Sequence, residues 1–146
     1  MRCDHYDAGT CRSCPLLPQP YERQLAGKAE AIAATLSPVS GADEIAWLAP
    51  ASSPERGFRT SAKLVVGGTR RRPTLGILGP NRRGVDLPGC PIQHPAINRA
   101  TPGLKRFIRS LNLTPYDVPT KRGELKNILI TVGEGERLMI RFVLRT

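Results

Sequence analysis

The spacing of apolar residues along the chain changes between two patterns, one typical of helices and the other of strands. A first helix is predicted over residues 21–36, where apolar side chains recur at helical spacing at Leu25, Ala29, Ile32, Ala33 and Leu36. A second helix is predicted over residues 94–111, from the stripe formed by Leu104, Phe107, Ile108 and Leu111. Pro102 is expected to start or restart that helix, because proline suits a first helical turn.

Strict alternation predicts the strands. In residues 58–66, Phe58, Thr60, Ala62, Leu64 and Val66 fall on one face, and Arg59, Ser61 and Lys63 fall on the other. Residues 74–78 return as the second strand of a hairpin, residues 125–132 and 137–144 form a second hairpin, and residues 44–49 form a short strand. The predicted fold class is α+β, with two antiparallel hairpins in one sheet, two covering helices and an N-terminal cysteine loop. Residues 1–146 are expected to form one domain.

Three of the four cysteines lie in the first fourteen residues, as Cys3, Cys11 and Cys14 in a C-x7-C-x2-C arrangement, and the fourth is Cys90. Two cysteines separated by two residues, with a third nearby and one remote, suit a four-thiolate metal site within a loop of residues 1–18. Two disulfides are the alternative, with three possible connectivities. No apolar run precedes Cys3, so no secretory leader is predicted, and a cytoplasmic chain more often binds metal through such cysteines.

The spacing leaves zinc and an iron–sulfur cluster open. Uneven spacing departs from the paired knuckles of zinc fingers, and Pro15 and Pro91 each follow a cysteine, as in bacterial ferredoxin runs. His5 is a ligand by type, but four thiolates leave it no coordination position, and a supporting or solvated role is predicted.

The net charge of +10 is unevenly distributed along the 146 residues. Residues 1–50 carry four Lys/Arg against six Asp/Glu, whereas residues 51–146 carry eighteen against six. Because the basic charges alternate with core-forming apolar residues, they predict a folded basic face with a polyanionic partner. Nucleic acid is favoured as the partner over an anionic membrane surface. The alternative is that the basic charges have no partner and only keep the surface soluble. No stretch approaches the roughly 18 apolar residues of a membrane helix.

Common catalytic motifs are missing from the chain. It contains no G-x-G-x-x-G after a strand, no Walker-type loop and no H-E-x-x-H. Two histidines do not support a Ser-His-acid arrangement, and four cysteine ligands leave no nucleophilic thiol. The residues therefore predict a basic domain that binds a metal or cluster through its four cysteines and also binds nucleic acid. A small electron carrier is a further hypothesis, which the strongly basic later part of the chain disfavours.

Six segments carry a resemblance to a known family over essentially the whole chain. They are CDHYDAGTCRSC (3–14), PERGFRTSAKLVV (54–66), CPIQHPA (90–96), LTPYDV (113–118), KRGELKNILIT (121–131) and LMIRFVLR (138–145). In these segments the chain resembles the N-terminal part of bacterial RNA uracil-C5 methyltransferases, those acting on 23S ribosomal RNA in particular.

The resemblance implies a 4Fe–4S cluster held by Cys3, Cys11, Cys14 and Cys90. It also implies 23S ribosomal RNA as partner, and basic residues inside the matching segments are assigned to RNA binding by charge and location: Arg59, Lys63, Lys121, Arg122 and Lys126. A monomer is expected.

In the family, a cysteine thiolate adds to C6 of a flipped-out uracil, S-adenosylmethionine methylates C5, and a base removes the C5 proton. Those catalytic parts lie in a C-terminal Rossmann-type domain. The glycine-rich cofactor loop, the Asn-Pro-Pro motif and the nucleophilic cysteine of that domain have no match in these residues, so no methylation by this chain alone is predicted. A stand-alone RNA-binding domain with a structural cluster or zinc is the alternative.

Overall fold

A computed structural model describes residues 1–145. Its helices are α1 (Asp4–Asp7), α2 (Tyr21–Leu36) and α3 (Pro95–Ser110), and short 3-10 turns lie at Ala42–Glu44 and Glu134–Glu136. The strands are β1 (Ser61–Gly68), β2 (Pro73–Leu78), β3 (Gly84–Asp86), β4 (Leu125–Val132) and β5 (Leu138–Leu144). They form one antiparallel sheet in the order β3-β2-β1-β4-β5. The predicted α+β class and the joining of both hairpins in one sheet are confirmed.

The core lies between one face of this sheet and α3. The sheet contributes Ala62, Leu64, Val66, Leu75, Leu125, Ile128 and Ile130, and α3 contributes Ile97, Leu104 and Ile108. Phe107 of α3 reaches β5, where its ring centroid lies 5.2 Å from that of Phe142. On the predicted inner face of residues 58–66, Ala62, Leu64 and Val66 lie in the core, whereas Phe58 is 50% exposed. On the predicted stripe of the second helix, Leu104 and Ile108 lie in the core, whereas Leu111 is 55% exposed. Removal of this apolar surface from water is the main stabilising term of the fold.

Helix α3 matches the predicted range within one residue at each end. His94 is its N-cap, and its Nδ1 accepts a hydrogen bond of 3.3 Å from the backbone N–H of Ala96. Pro95, not Pro102, occupies the first position, and Pro102 lies inside the helix. The prediction that Pro102 starts or restarts the helix is wrong, because the surrounding residues continue the helical turn through it.

The prediction of two covering helices is also wrong, since α3 alone packs on the sheet. None of the residues of α2 is buried, and Ile32 on its apolar stripe is 53% exposed. Two of the five residues of that stripe, Ala29 and Ala33, are alanines, which offer little apolar area to bury.

Two short segments differ from the strand predictions. The predicted strand over residues 44–49 does not form; Trp47 and Leu48 are exposed and no strand pairs with them among residues 1–145. Residues 84–86, for which no strand was predicted, form β3 by pairing with β2. A strand needs a partner for its backbone N–H and C=O groups, and the local sequence does not specify the partner.

The second face of the sheet carries polar and basic side chains and is not covered by a helix among the described residues. The register places Lys63 of β1 beside Leu129 of β4, and Leu129 beside Arg141 of β5. Lys63 and Arg141 are exposed on this row. No helix within residues 1–145 has the length and hydropathy to cross a membrane.

Candidate metal centre and basic surface

The structure brings all four cysteines to one recess. Cys3, Cys11, Cys14 and Cys90 line this recess together with apolar side chains that include Leu87, Pro91 and Ile92. All four are free thiols, so the disulfide alternative is not what this structure contains.

Backbone hydrogen bonds fold the cysteine loop around this recess. Cys3 caps α1, and its carbonyl accepts from the N–H groups of Tyr6 and Asp7, each at 3.0 Å. The N–H of Cys11 donates to the carbonyl of His5 at 3.0 Å. A single turn of helix between Cys3 and Cys11 therefore folds the first seven-residue spacing back on itself.

Cys90 reaches the recess because the turn after β3 is fixed on both sides. Its carbonyl accepts from the N–H of Gln93 at 3.1 Å and from Nδ2 of Asn98 at 3.0 Å. His5 Nε2 donates to the carbonyl of Pro88 at 2.7 Å, which links the N-terminal loop to this turn. The prediction that His5 supports the site without being a ligand stays a prediction, and this contact is consistent with it.

The recess disfavours negative charge on the Cys14 thiol. Burial, and then the neighbouring thiols of Cys90, Cys11 and Cys3, raise the pKa of Cys14, whereas the positive charge of Arg59 lowers it. Thiolates gathered in one recess repel one another unless a cation lies among them. Within residues 1–145, no three His, Cys, Asp or Glu side chains converge on the position of a single metal ion.

The five basic residues predicted to bind RNA do not form one compact patch. Arg59 lies beside the cysteine recess, where its charge acts on Cys14. Lys63 is on the open face of the sheet. Lys126 lies at the start of β4, with its Nζ 5.1 Å from the centroid of the Tyr116 ring.

Lys121 and Arg122 lie in a turn that Asp117 orders. The Asp117 carboxylate accepts hydrogen bonds of 2.6 Å from the Thr120 hydroxyl and 3.0 Å from its N–H, and these two bonds lower the pKa of Asp117. The N–H of Asp117 donates to the carbonyl of Arg122 at 2.8 Å. Lys121 has a φ of 56°, a left-handed conformation that such a closed turn imposes. The turn therefore presents its two basic side chains from a fixed backbone.

Sequence reasoning overlooked two sets of residues on this side of the molecule. Arg141 shares the open sheet row with Lys63, and the alternation of β5 was sufficient to place it there. Tyr116, Arg82 and Arg83 line a second cavity between the sheet and the loop after α3. No spacing rule brings the two arginines and the tyrosine together, because the arginines and the tyrosine come from separate loops.

The fold is shared with an RNA-modifying enzyme class. A solved structure of the tRNA (uracil-54, C5)-methyltransferase of Pyrococcus abyssi, in complex with S-adenosyl-L-homocysteine, superposes with a TM-score of 0.55. The match covers 65% of this chain and 24% of that one, at 23% identity, and shows the similarity of fold alone. No family model matches the chain.

The chain is also similar to curated proteins that share one name. The chain is 44% identical over 147 aligned residues to the 23S rRNA (uracil(747)-C(5))-methyltransferase RlmC of Halothiobacillus neapolitanus. It is 45% identical over 148 residues to the protein of the same name from Yersinia pestis (strain Pestoides F). Each match covers 100% of this chain and 38% of the relative. The predicted resemblance to the N-terminal part of 23S rRNA uracil-C5 methyltransferases is confirmed, and the chain spans well under half the length of these relatives.

Proposed function

We propose that this chain is the RNA-binding, iron–sulfur part of an S-adenosylmethionine-dependent 23S rRNA uracil-C5 methyltransferase acting in the cytoplasm. The observation that carries the proposal is the convergence of all four cysteines on one recess in a chain similar to RlmC along its whole length. Ribosomal RNA is the partner that both the similarity and the basic charge of residues 51–146 favour.

The donor set suits a 4Fe–4S cluster bound by Cys3, Cys11, Cys14 and Cys90. A single zinc ion needs its ligands about 2.3 Å from one point. A cubane cluster takes four thiolates spread around a larger body. The uneven spacing of the cysteines, with Pro15 and Pro91 directly after Cys14 and Cys90, supports the cluster over zinc. When bound, such a group supplies four metal–thiolate bonds that fasten the N-terminal loop to the turn after β3.

The chain's own residues prepare that recess. His5 holds the N-terminal loop against Pro88, and Asn98 of α3 holds the carbonyl of Cys90. Leu87 and Ile92, both buried, exclude water from one side of the thiols. Arg59 adds a positive charge beside Cys14, which favours its deprotonated, metal-binding form.

Methylation requires a further part of the enzyme. Uracil-C5 chemistry of this family uses a cysteine nucleophile, and all four cysteines of the chain face the metal recess. We infer that the nucleophile and the S-adenosylmethionine site belong to the remaining length of the relatives, and that this chain alone binds RNA but does not methylate it.

Metal analysis of anaerobically purified chain tests the proposal. We expect about four iron atoms and four sulfides per chain, with little zinc, as four thiolate ligands of a cubane predict. Cys90→Ser should lose iron and visible absorption, whereas Ser13→Ala, which alters an exposed residue between two of the ligands, should keep both. One zinc per chain and no sulfide would overturn the cluster assignment and support the alternative of an RNA-binding domain stapled by zinc.

A further inference from the structure

We propose that a second cavity, here called the Tyr116 cleft, binds one nucleotide of single-stranded RNA. In this cleft Tyr116 stacks on the base, while Arg82 and Arg83 contact the flanking phosphates. The inference rests on the proposed RNA-binding function and adds to it a specific site and a preference for unpaired RNA. None of the five basic residues assigned from the sequence lines this cleft.

The cleft is a concave site between three separate segments. Its cavity volume is about 240 Å³, and it lies between the end of β1, the turn before β3 and the loop after α3. Its lining residues are Gly67, Gly68, Thr69, Arg82, Arg83, Gly84, Pro115, Tyr116 and Asp117. An opening of this size, lined by two guanidinium groups and one phenol ring, suits a flat aromatic ligand with attached negative charge.

Close backbone packing closes one side of the cleft. A Cβ built on Gly67 would lie 2.6 Å from the Cα of Gly84 and 2.9 Å from Thr74 Oγ1, so β1 and β3 approach each other closely here. Gly68 has a φ of 74°, and a Cβ there would lie 2.3 Å from the carbonyl oxygen of Arg72. Glycine is therefore required at both positions by the packing of the backbone, which sets the shape of this side of the cleft.

The two arginines are presented by a rigid turn. The N–H of Gly79 donates to the carbonyl of Arg83 at 2.8 Å, and that of Arg82 donates to the carbonyl of Gly79 at 2.9 Å. Asn81 Oδ1 accepts from the N–H of Arg83 at 3.1 Å. Neither guanidinium is part of an ion pair within the described part of the chain. Two exposed guanidinium groups held on one turn are therefore available to phosphate oxygens.

Tyr116 supplies the aromatic ring of the cleft. Its backbone N–H donates to the carbonyl of Leu125 at 2.9 Å, which ties this loop to β4, and Lys126 Nζ lies 5.1 Å from the centroid of the half-buried ring. The adjacent ammonium adds a cation for the backbone of the same strand.

One acidic group, the Asp117 carboxylate, lies in the cleft and is hydrogen-bonded within its own turn. The Asp117 carboxylate accepts from the hydroxyl and the N–H of Thr120, and the charge of Arg83 also acts on it. At the rim, Arg70 Nε donates to Thr114 Oγ1 at 2.7 Å, which places a third guanidinium near the loop that carries Tyr116. Positive charge therefore dominates the site.

This combination favours unpaired RNA over duplex RNA. Proteins bind single strands by stacking bases on aromatic rings and following the backbone with basic groups. In a duplex the bases are stacked on one another and their faces are not accessible to a tyrosine. The cleft holds one aromatic ring and two arginines, which together can bind one unstacked nucleotide and its neighbouring phosphates.

Binding of a labelled eight-residue oligouridylate to the full chain, with an RNA duplex of equal length as comparison, tests the inference. Arg82→Ala/Arg83→Ala should weaken oligouridylate binding and flatten the plot of log K against log salt by about 1.4, because each neutralised phosphate of a single strand contributes about 0.7 to the slope. Tyr116→Ala should weaken binding about tenfold with an unchanged salt slope, since stacking is uncharged. Tyr116→Phe should bind as the unaltered chain does.

A matched control is Arg106→Ala/Arg109→Ala, which removes two exposed charges from α3, away from the lining of the cleft. It should leave both affinity and salt slope close to those of the unaltered chain. Circular dichroism checks the fold of each variant. Photocrosslinking of the unaltered chain to oligouridylate containing 4-thiouridine needs no variant, and its adducts should map to residues 82–83 and 115–117.

The outcomes separate this inference from the function on which it rests. If the chain binds RNA but the cleft variants bind normally and crosslinks map elsewhere, the Tyr116 cleft is not the site and the proposed function stands. Equal affinity for the duplex and the single strand would also overturn the inference. If the chain binds no RNA, the proposed function and the inference fail together.

Discussion

Thr101 Oγ1 donates a hydrogen bond of 2.9 Å to the carbonyl oxygen of Asn98 inside helix α3. That carbonyl is the one that would accept from residue 102, and Pro102 has no N–H to give. The side chain of Thr101, only 8% exposed, thus replaces the missing backbone donor in the helix that covers the sheet.

Thr101→Val should therefore lower the free energy of unfolding by about 1–2 kcal/mol, because it leaves a buried carbonyl without a donor. The measurement is urea unfolding at equal metal content. Thr35→Val is the matched control: Thr35 Oγ1 donates to the Ala31 carbonyl at 2.7 Å in the exposed helix α2, where no proline has removed the backbone donor. Equal effects of the two substitutions would contradict this account.

The double variant Thr101→Val/Pro102→Ala extends the test. An alanine at position 102 restores the N–H that the Asn98 carbonyl lacks, so the threonine hydroxyl becomes dispensable. We expect the cost of Thr101→Val to fall by at least half in the Pro102→Ala background. Additive effects would show that the two residues act independently.

Removal of the proposed metal should loosen the N-terminal loop and leave the sheet and α3 folded. Residues 1–18 contain no buried side chain, and the direct ties of this loop include the His5 contact with Pro88 and the Arg56 guanidinium bond of 3.2 Å to the Arg2 carbonyl. We expect chelated protein to be cleaved by trypsin after Arg12 much faster than the loaded protein. Cleavage after Arg106 in α3 should change little. Equal acceleration at both positions would mean that the metal supports the whole fold.

The Asp117 turn should respond to acid in a defined direction. Because hydrogen bonds from Thr120 lower the pKa of Asp117, the carboxylate stabilises the folded turn above its ordinary pKa. That contribution disappears as the pH falls through the lowered folded-state pKa. Thr120→Val removes the hydroxyl donor and should raise the pKa of Asp117, measured by NMR titration of its carboxyl carbon. Thr120→Ser keeps a hydroxyl and should keep the pKa low.

The basic residues of the Asp117 turn and of β4 should contribute to RNA binding through charge. Arg122→Ala/Lys126→Ala should weaken binding to a single-stranded 23S rRNA fragment and make the salt dependence shallower by about 0.7 for each phosphate that the variant no longer neutralises. Arg106→Ala/Arg109→Ala is again the comparison with an equal change in charge. A salt slope identical to that of the unaltered chain would remove Arg122 and Lys126 from the proposed RNA contacts.

The periodic spacing of apolar residues predicted those helices and strands that bury one face regularly along their length. Alternation predicted the faces of β1, β4 and β5, and helical spacing predicted α3, because each buries one side against a common core. The same reasoning misplaced α2 on the sheet, since an apolar stripe on a helix does not reveal which surface, if any, covers it. It also missed β3, which exists through its pairing with β2.

The candidate sites show the same division. The four cysteines could be grouped from sequence because thiolate chemistry demands a common site, whatever the chain between them does. The basic residues could not be grouped in this way, because a positive charge needs no partner residue. Arg59 was assigned to RNA by charge and is found beside Cys14. Tyr116 and Arg82 line the same cavity because the fold brings two distant loops together, and no local sequence pattern predicts that.

The pairing of β1 with β4 has a consequence for the order of assembly. Each hairpin is local, but the register that joins Lys63 to Leu129 waits until β4 has been synthesised, after α3. All four cysteines precede β4 in the chain. On a ribosome, the four thiols can therefore come together while the central strand pair is still open, so assembly of the cysteine recess does not have to wait for the closing of the sheet.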